Sequence, residues 1–380
     1  MNSNRIEVSI ILPTYNEVEN IESMIHEIED VCTNFSHEVI VVDDNSPDGT
    51  YKKVEALREK YPSLVLIRRF HERGLSSAVV RGMEDAEGKF FIVLDADGQH
   101  DPSVIPKIYE SLKSFEIVVA SRQKNRKGYG KFSLFRKLLS KVGNFLTTKI
   151  LKINVNDPMS GYFGIRRNEF EKISEEMNPR GFKILLEILF RSRTKNITEI
   201  NYEFKTRKFG KTKLNFIVVL DFMISILEIY FYPKLSADFL RYGIIGVSGI
   251  FVNLTVQFIA NNIFSFNAKT AYFSLSISVI LGFIFSVTSN FMLNNIWTFQ
   301  QKKFKFGKDW FMALSRFALV AILGLLIQIS VWMLVLGELK LYLSGVNFQL
   351  LNLSSNLIGI LASTTSNYFL SKRFAWRISL

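Results

Sequence analysis

Four stretches of the chain, Tyr242 to Ala268, Thr270 to Gln301, Phe317 to Gly337 and Leu341 to Ser371, carry no charged side chain. Each can hold the roughly 20 apolar residues that cross a bilayer. Their succession sets aside the alternative of helices buried in one large soluble core, and they read as four transmembrane helices. Lys234 and Arg241 precede the first, Lys302, Lys303, Lys305 and Lys308 lie between the second and third, and Lys372, Arg373 and Arg377 follow the fourth. The opposite loops hold only Lys269 and Lys340. Positive charge stays on the cytoplasmic side, so both termini and the central loop are expected to face inward in a multi-pass protein of the cell membrane.

This half also repeats itself. Arg241 to Val256 lies over Arg316 to Val331, with an Arg, an aromatic, Gly249 or Gly324, and Asn253 or Gln328 in register. Ser289-Asn290-Phe291-Met292-Leu293 likewise matches Ser366-Asn367-Tyr368-Phe369-Leu370. Two helices separate equivalent positions, so the pattern predicts a four-helix domain, 234-380, of two hairpins in the same orientation about an axis along the membrane normal. Small residues would let the hairpins pack closely.

The 380 residues carry a net charge of +12. That suits an acidic partner such as lipid headgroups, phosphorylated substrates or nucleic acid. The membrane stretches favour membrane lipid and give no reason to expect nucleic acid. The lone Cys32 offers no disulfide framework, and the N-terminus has no apolar signal segment, so the first 230 residues are expected in the cytoplasm.

In that first part, short apolar runs alternate with segments of helical spacing. Val8 to Leu12, Val39 to Val42, Leu64 to Ile67 and Phe90 to Leu94 predict strands of βαβ units in a mainly parallel sheet with helices on both faces. The fourth run ends in Asp95-Ala96-Asp97-Gly98-Gln99-His100, and ligands of open α/β sheets bind beyond the carboxyl ends of strands. Mg²⁺ or Mn²⁺ prefers carboxylate oxygen and keeps phosphates as its remaining ligands, so Asp95 and Asp97 point to metal-assisted chemistry on a nucleotide; a solvated loop is the plain alternative. His100 stands where a calcium loop needs Gly, which argues against an EF-hand. The absence of G-x-G-x-x-G after the first strand argues against a dinucleotide-binding enzyme.

The motifs Pro13-Thr14-Tyr15-Asn16-Glu17, Val41-Val42-Asp43-Asp44-Asn45-Ser46-Pro47-Asp48-Gly49-Thr50, Gly74-Leu75-Ser76-Ser77-Ala78-Val79, Asp95 to His100 and Asp157-Pro158-Met159-Ser160-Gly161-Tyr162 appear in this order. With them the chain resembles glycosyltransferase family 2, which has the GT-A fold, and within it the dolichyl-phosphate mannose synthases. The resemblance covers about residues 5 to 230, and the four-helix tail is similar to the membrane module fused to some members. It implies a GT-A catalytic domain at 1-213, transferring mannose from GDP-mannose to dolichyl or another polyprenyl phosphate.

The resemblance further implies that Pro13, Tyr15, Glu17, Val42 and Asp44 hold the nucleoside, Asp44 accepting base N–H groups. Asp95, Ala96, Asp97 and Gln99 would surround the diphosphate, with Asp95, Asp97 and Gln99 at a divalent cation, Mg²⁺ or Mn²⁺. Asp43 and Asp48 suit turn chemistry better than ligand contact. On the acceptor side, Phe135, Leu138, Leu139, Val142 and Leu146 form one stripe of a basic helix over 132-151. Such a helix lies in the membrane interface, although an ordinary surface helix would show the same stripe. Arg122, Arg136 and Ser140 match family positions that contact the acceptor phosphate, which arginine's planar fork suits. Arg207 and Lys213 match a basic segment closing on the diphosphate. The stretch 214-233, with Asp221, Ser225 and Glu228 on one helical face, reads as a second interfacial helix.

The acceptor oxygen is already anionic, so no strong base is required. Inverting attack would rest on orientation and electrostatics, with Asp97 helping to place the acceptor. His100 fits a structural hydrogen bond better than a base. Two other readings stay open: a UDP-glucose-dependent polyprenyl-phosphate glucosyltransferase, and a transporter or scaffold for a lipid-linked sugar. The absence of Q-x-x-R-W disfavours a processive polysaccharide synthase.

Overall fold

The computed structural model describes residues 6–70, 72–122, 151, 153–178, 183–204, 216–233, 235–263, 271–342 and 348–377. The chain forms two compact units, Met1–Tyr230 and Phe231–Leu380.

The first unit is built on a seven-stranded sheet among the described residues. Its strands are β1 (Val8–Thr14), β2 (His37–Asp43), β3 (Leu64–Arg68), β4 (Phe90–Val93), β5 (Ile117–Arg122), β6 (Phe163–Arg166) and β7 (Ile197–Tyr202), in the order β3-β2-β1-β4-β6-β5-β7. β1, β2, β3 and β4 run parallel, as do β5 and β7, while β6 runs antiparallel to both β4 and β5. Every residue of β1 is buried, the pattern of a strand covered on both faces.

Alternation then divides each strand between two cores. Ile11, Ile40, Val42, Phe91 and Val93 face one layer, with α3 (Leu75–Asp85), α5 (Arg167–Ile173) and α6 (Ile184–Ser192). Ile10, Leu12, Val39, Val41 and Ile92 face the other, with α1 (Ile21–Val31) and α4 (Ile105–Leu112). Ile21, Met24, Ile25 and Ile28 show how: their spacing puts all four on one stripe of α1, and all are buried. The short α2 (Thr50–Leu57) follows the acidic loop after β2. α7 (Phe216–Phe231) belongs to this unit for most of its length, because Ile226 and Ile229 enter its core and Asn178 Nδ2 donates to Glu228 Oε1 at 3.0 Å.

The second unit consists of α8 (Ala237–Ile263), α9 (Ala271–Leu293), α10 (Lys308–Tyr342) and α11 (Phe348–Leu370). α9 runs on into a π-helical turn, Asn294–Thr298, and α11 into another, Ser371–Ala375. Among the described residues three helical segments, Ala237–Ile263, Ile277–Thr298 and Lys308–Glu338, are long and apolar enough to cross a membrane. The fourth expected span falls short on composition, since α11 carries Asn352, Asn356 and a run of serines and threonines. Part of that polarity is turned onto α10: Trp332 Nε1 donates to Asn352 Oδ1 at 2.8 Å and Gln328 Nε2 to Asn356 Oδ1 at 3.1 Å.

Equivalent contacts recur in the two hairpins. A Cβ on Gly249 would lie 2.4 Å from Asn290 Nδ2, and one on Gly324 2.1 Å from Asn367 Nδ2. Gly282 abuts the Asn253 side chain, and Gly359 abuts the backbone carbonyl of Gln328. Such contacts explain why glycine stands at these helix crossings. Gly324→Ala is therefore expected to lower the melting temperature in detergent through overpacking, at about 1–3 kcal/mol. Adding Asn367→Ala should restore part of the loss, and a double-mutant cycle reads the coupling; purely additive effects would refute the contact. Around Phe291, Phe299 and Trp376, one end of the unit closes on an aromatic cluster, with Phe299 and Trp376 ring centroids 4.3 Å apart.

Candidate active site

Register places the donor-site candidates side by side. Pro13 pairs with Val42 and Thr14 with Asp43 across β1 and β2, and the carboxyl end of β4 lies on the other side of β1. The loops beyond β1 and β2 are then stitched together. The backbone N–H groups of Asn16, Glu17 and Val18 donate to Ser46 Oγ (3.0 Å), Thr50 Oγ1 (3.0 Å) and Asp48 Oδ2 (3.1 Å). Asp43 accepts from Ser46 N (2.8 Å), Ser46 Oγ (2.5 Å) and Thr14 Oγ1 (3.1 Å), so it serves the turn, as its sequence context suggests. Asp48 does the same for α2, accepting from Thr50 N at 3.0 Å and Thr50 Oγ1 at 2.7 Å. Burial opposes its charge, but those bonds and the one from Val18 hold its carboxyl below the ordinary value.

Within this frame Val42 and Pro13 are buried and form the floor, Glu17 is half-buried and accepts from Asn20 Nδ2 at 2.9 Å, and Tyr15 is 44% exposed. The Arg73 guanidinium stands 5.1 Å from the centre of the Tyr15 ring. Asp44 is 6% exposed and paired with Arg69. Neither arginine was singled out by sequence; the available signal is their place just before Gly74-Leu75-Ser76-Ser77.

Asp95, Asp97 and Gln99 are half-buried around Ala96, which is 2% exposed. Gln99 N donates to Asp97 Oδ1 at 3.1 Å, folding the motif back on itself. Asp95 Oδ2 faces His100 Nε2 at 3.4 Å, and a Cβ on Gly161 would lie 2.5 Å from it. The other oxygen, Oδ1, is shielded from water and accepts no hydrogen bond among the described residues. A shielded carboxylate oxygen without a donor is costly, and a nearby cation would offset that cost. Among the described residues no three His, Cys, Asp or Glu side chains gather around one point. Two carboxylates and an amide are oxygen donors of the kind a hard cation takes beside phosphate ligands.

Arg122 ends β5 and pairs in register with Tyr202 of β7. Its Nε and Nη2 donate to Asp157 Oδ2 (2.7 Å) and Oδ1 (2.8 Å), and its guanidinium lies 5.5 Å from the Phe204 ring centre. Tyr202 OH contacts His100 Nδ1 at 2.6 Å, so the chain Tyr202–His100–Asp95 joins β7, the strand paired with the arginine's, to the Asp95 carboxylate. Burial pushes the Tyr202 phenol well up; Arg122 opposes this, while Asp157, Asp95 and Asp97 add to it. A single hydroxyl senses all four charges. His100 is 4% exposed against Tyr162, Tyr202 and Phe204, a structural setting. Arg136 and Ser140, with residues 132-150 of their expected helix, and Arg207 and Lys213 lie outside the described residues.

A carboxylate pair at the strand ends of a mostly parallel sheet, followed by helices long enough to span a bilayer, matches two families in order. Residues 9–174 match Glycosyl transferase family 2, and residues 241–376 match GtrA/DPMS, transmembrane domain. Among solved structures, glucosyl-3-phosphoglycerate synthase from Mycobacterium tuberculosis, in complex with Mn²⁺, uridine-diphosphate-glucose and phosphoglyceric acid, is similar at 17% identity and a TM-score of 0.47, over 59% of this chain and 80% of that one. By its two family matches the protein is a glycosyltransferase joined to a membrane domain. Dolichol-phosphate mannosyltransferase from Pyrococcus furiosus is 34% identical over 376 residues, 98% of this chain and 99% of that one. The Saccharomyces cerevisiae protein of that name is 33% identical over 235 residues, 59% of this chain and 87% of its own. The chain belongs to the dolichol-phosphate mannosyltransferase family.

Proposed function

We propose that the protein transfers mannose from GDP-mannose to dolichyl or another polyprenyl phosphate, with inversion, at the cytoplasmic face of the membrane. The observation that carries this is that Arg122 pairs in register with Tyr202, whose hydroxyl contacts His100 beside Asp95, so that the arginine proposed for the phosphate and the carboxylate proposed for the cation share one end of the sheet. Pro13, Val42, Tyr15 and Asp44 would take the nucleoside. Asp95, Asp97 and Gln99 would hold Mg²⁺ or Mn²⁺ against the diphosphate. When bound, that cation supplies Lewis-acid stabilisation of the leaving group.

Arg122, oriented by Asp157, would bring its guanidinium charge to the acceptor phosphate. Arg136 and Ser140 would join it there, and Arg207 and Lys213 would close on the diphosphate. The acceptor oxygen is anionic, so orientation and fixed charge carry the reaction. α7 exposes Leu227 and Tyr230, which suits the membrane interface proposed for 214-233. The basic residues 302, 303, 305, 308, 372, 373 and 377 support cytoplasmic termini and a cytoplasmic central loop.

The test is to incubate purified protein with polyprenyl phosphate, Mg²⁺ or Mn²⁺ and either GDP-mannose or UDP-glucose, and detect the lipid product by mass spectrometry. Mannosyl lipid is expected. Glucosyl lipid would move the protein to the neighbouring donor class, and no metal-dependent product would favour a lipid-sugar transporter or scaffold.

A further inference from the structure

Arg69 follows β3 directly and its side chain is only 5% exposed. Its backbone N–H donates to Asp43 O at 2.8 Å, and its guanidinium Nε donates to Asp44 Oδ1 at 2.7 Å. Nη2 reaches the same Oδ1 and donates to Gly74 O at 3.1 Å. Nη1 donates to Ser77 Oγ at 3.0 Å and Glu72 Oε2 at 3.3 Å. The ends of β2 and β3 and the start of α3 therefore meet on one buried cation. The second carboxylate oxygen of Asp44, Oδ2, accepts the Gly74 N–H at 2.8 Å.

An ionised carboxylate offers about four lone-pair sites and no donor. Arg69 fills both sites on Oδ1 and Gly74 fills one on Oδ2, which leaves a single acceptor site on Oδ2. A carboxylate so clamped cannot turn to offer more.

We infer that Arg69 fixes Asp44 as a one-acceptor reader of the donor's base, so that Asp44 takes a single ring N–H and does not read the 2-amino group of guanine. The inference rests on the proposed placement of the nucleoside at Asp44. Guanine N1–H, hypoxanthine N1–H and uracil N3–H all satisfy such a reader. Adenine turns a ring-nitrogen lone pair to the same edge, where it meets an ionised oxygen and is rejected. Arg69 touches no part of the donor; it is a positioning residue.

The full-length protein in detergent, with Mn²⁺, is titrated calorimetrically with GDP, inosine diphosphate, UDP and ADP. GDP and inosine diphosphate should bind within about 3-fold of each other and ADP about 30-fold or more weaker, as expected for one hydrogen bond to a charged group. In Arg69→Lys, which keeps the charge but loses the fork, the preference for GDP over ADP should fall below about 5-fold. The KM for GDP-mannose should rise about 10-fold while kcat stays within about 3-fold, a split that general destabilisation would not produce.

Inosine diphosphate binding 10-fold or more weaker than GDP in the wild type overturns the inference, and that comparison needs no variant. A folded Arg69→Lys with unchanged base preference overturns it too. Tight UDP and weak GDP binding, with ADP still rejected through Arg69, would sink the GDP-mannose reading and leave this inference standing.

Discussion

Asp97→Ala is expected to lower sugar transfer by about 10³-fold, in line with the loss of one well-placed electrostatic group in a water-poor site. Asp97 sits two residues beyond Asp95 on the strand exit, and its Oδ1 already organises the turn by accepting from Gln99 N. Its loss removes a carboxylate from the proposed cation site and loosens the turn that carries Gln99. Product formation is read by mass spectrometry, beside melting temperature and GDP binding without metal as controls. Both controls should stay close to wild type, because the residues proposed for the nucleoside lie at the ends of β1 and β2. A chelator should reproduce the loss in the wild type, and added Mn²⁺ or Mg²⁺ should reverse it. A folded Asp97→Ala that keeps a tenth of the activity would remove Asp97 from the chemistry.

Much of this arrangement is legible in the sequence because it rests on local rules. The four apolar runs mark β1 to β4, and each strand goes on to the acidic or polar exit that builds the site. Their ends differ by a residue or two: β1 extends to Thr14 because Pro13 and Thr14 still pair with Val42 and Asp43, which hydropathy does not register. The turn roles of Asp43 and Asp48 follow from backbone and hydroxyl donors two or three residues away, within reach of sequence reasoning.

Long-range partners are a different matter. β6 enters antiparallel between β4 and β5, a placement that no local periodicity encodes. Arg69, Arg73 and Asp157 gain their roles from partners more than 20 residues away. The fourth expected span, α11, shows the opposite limit: freedom from charge is visible in the chain, whereas the pairing of its asparagines with Gln328 and Trp332 is visible only in the packing.

Gly161 offers the sharpest test of how tightly the proposed metal site is held. A Cβ there would lie 2.5 Å from Asp95 Oδ2, 3.0 Å from Cγ and 3.3 Å from Oδ1, so either the backbone or the carboxylate has to move. The backbone is pinned on both sides. Ser160 Oγ donates to Ala120 O at 2.7 Å and accepts from Tyr162 N at 3.2 Å, and the Tyr162 side chain is fully buried. Asp95 has only two side-chain torsions and, among the described residues, one hydrogen-bond partner at 3.4 Å, so it is the group that yields. A shift of about 1 Å in a positioned group costs on the order of 10²-fold in rate. Gly161→Ala should therefore cut kcat about 100-fold and raise the Mn²⁺ concentration for half-maximal activity about 10-fold. Stability should hold or rise slightly, since alanine restricts the unfolded chain. If the variant instead melts early and its residual activity keeps the wild-type Mn²⁺ requirement, the backbone has given way and Gly161 is a packing residue. If it melts normally with activity and Mn²⁺ requirement unchanged, Asp95 has room to move without consequence, and its contact with Gly161 does not set the site.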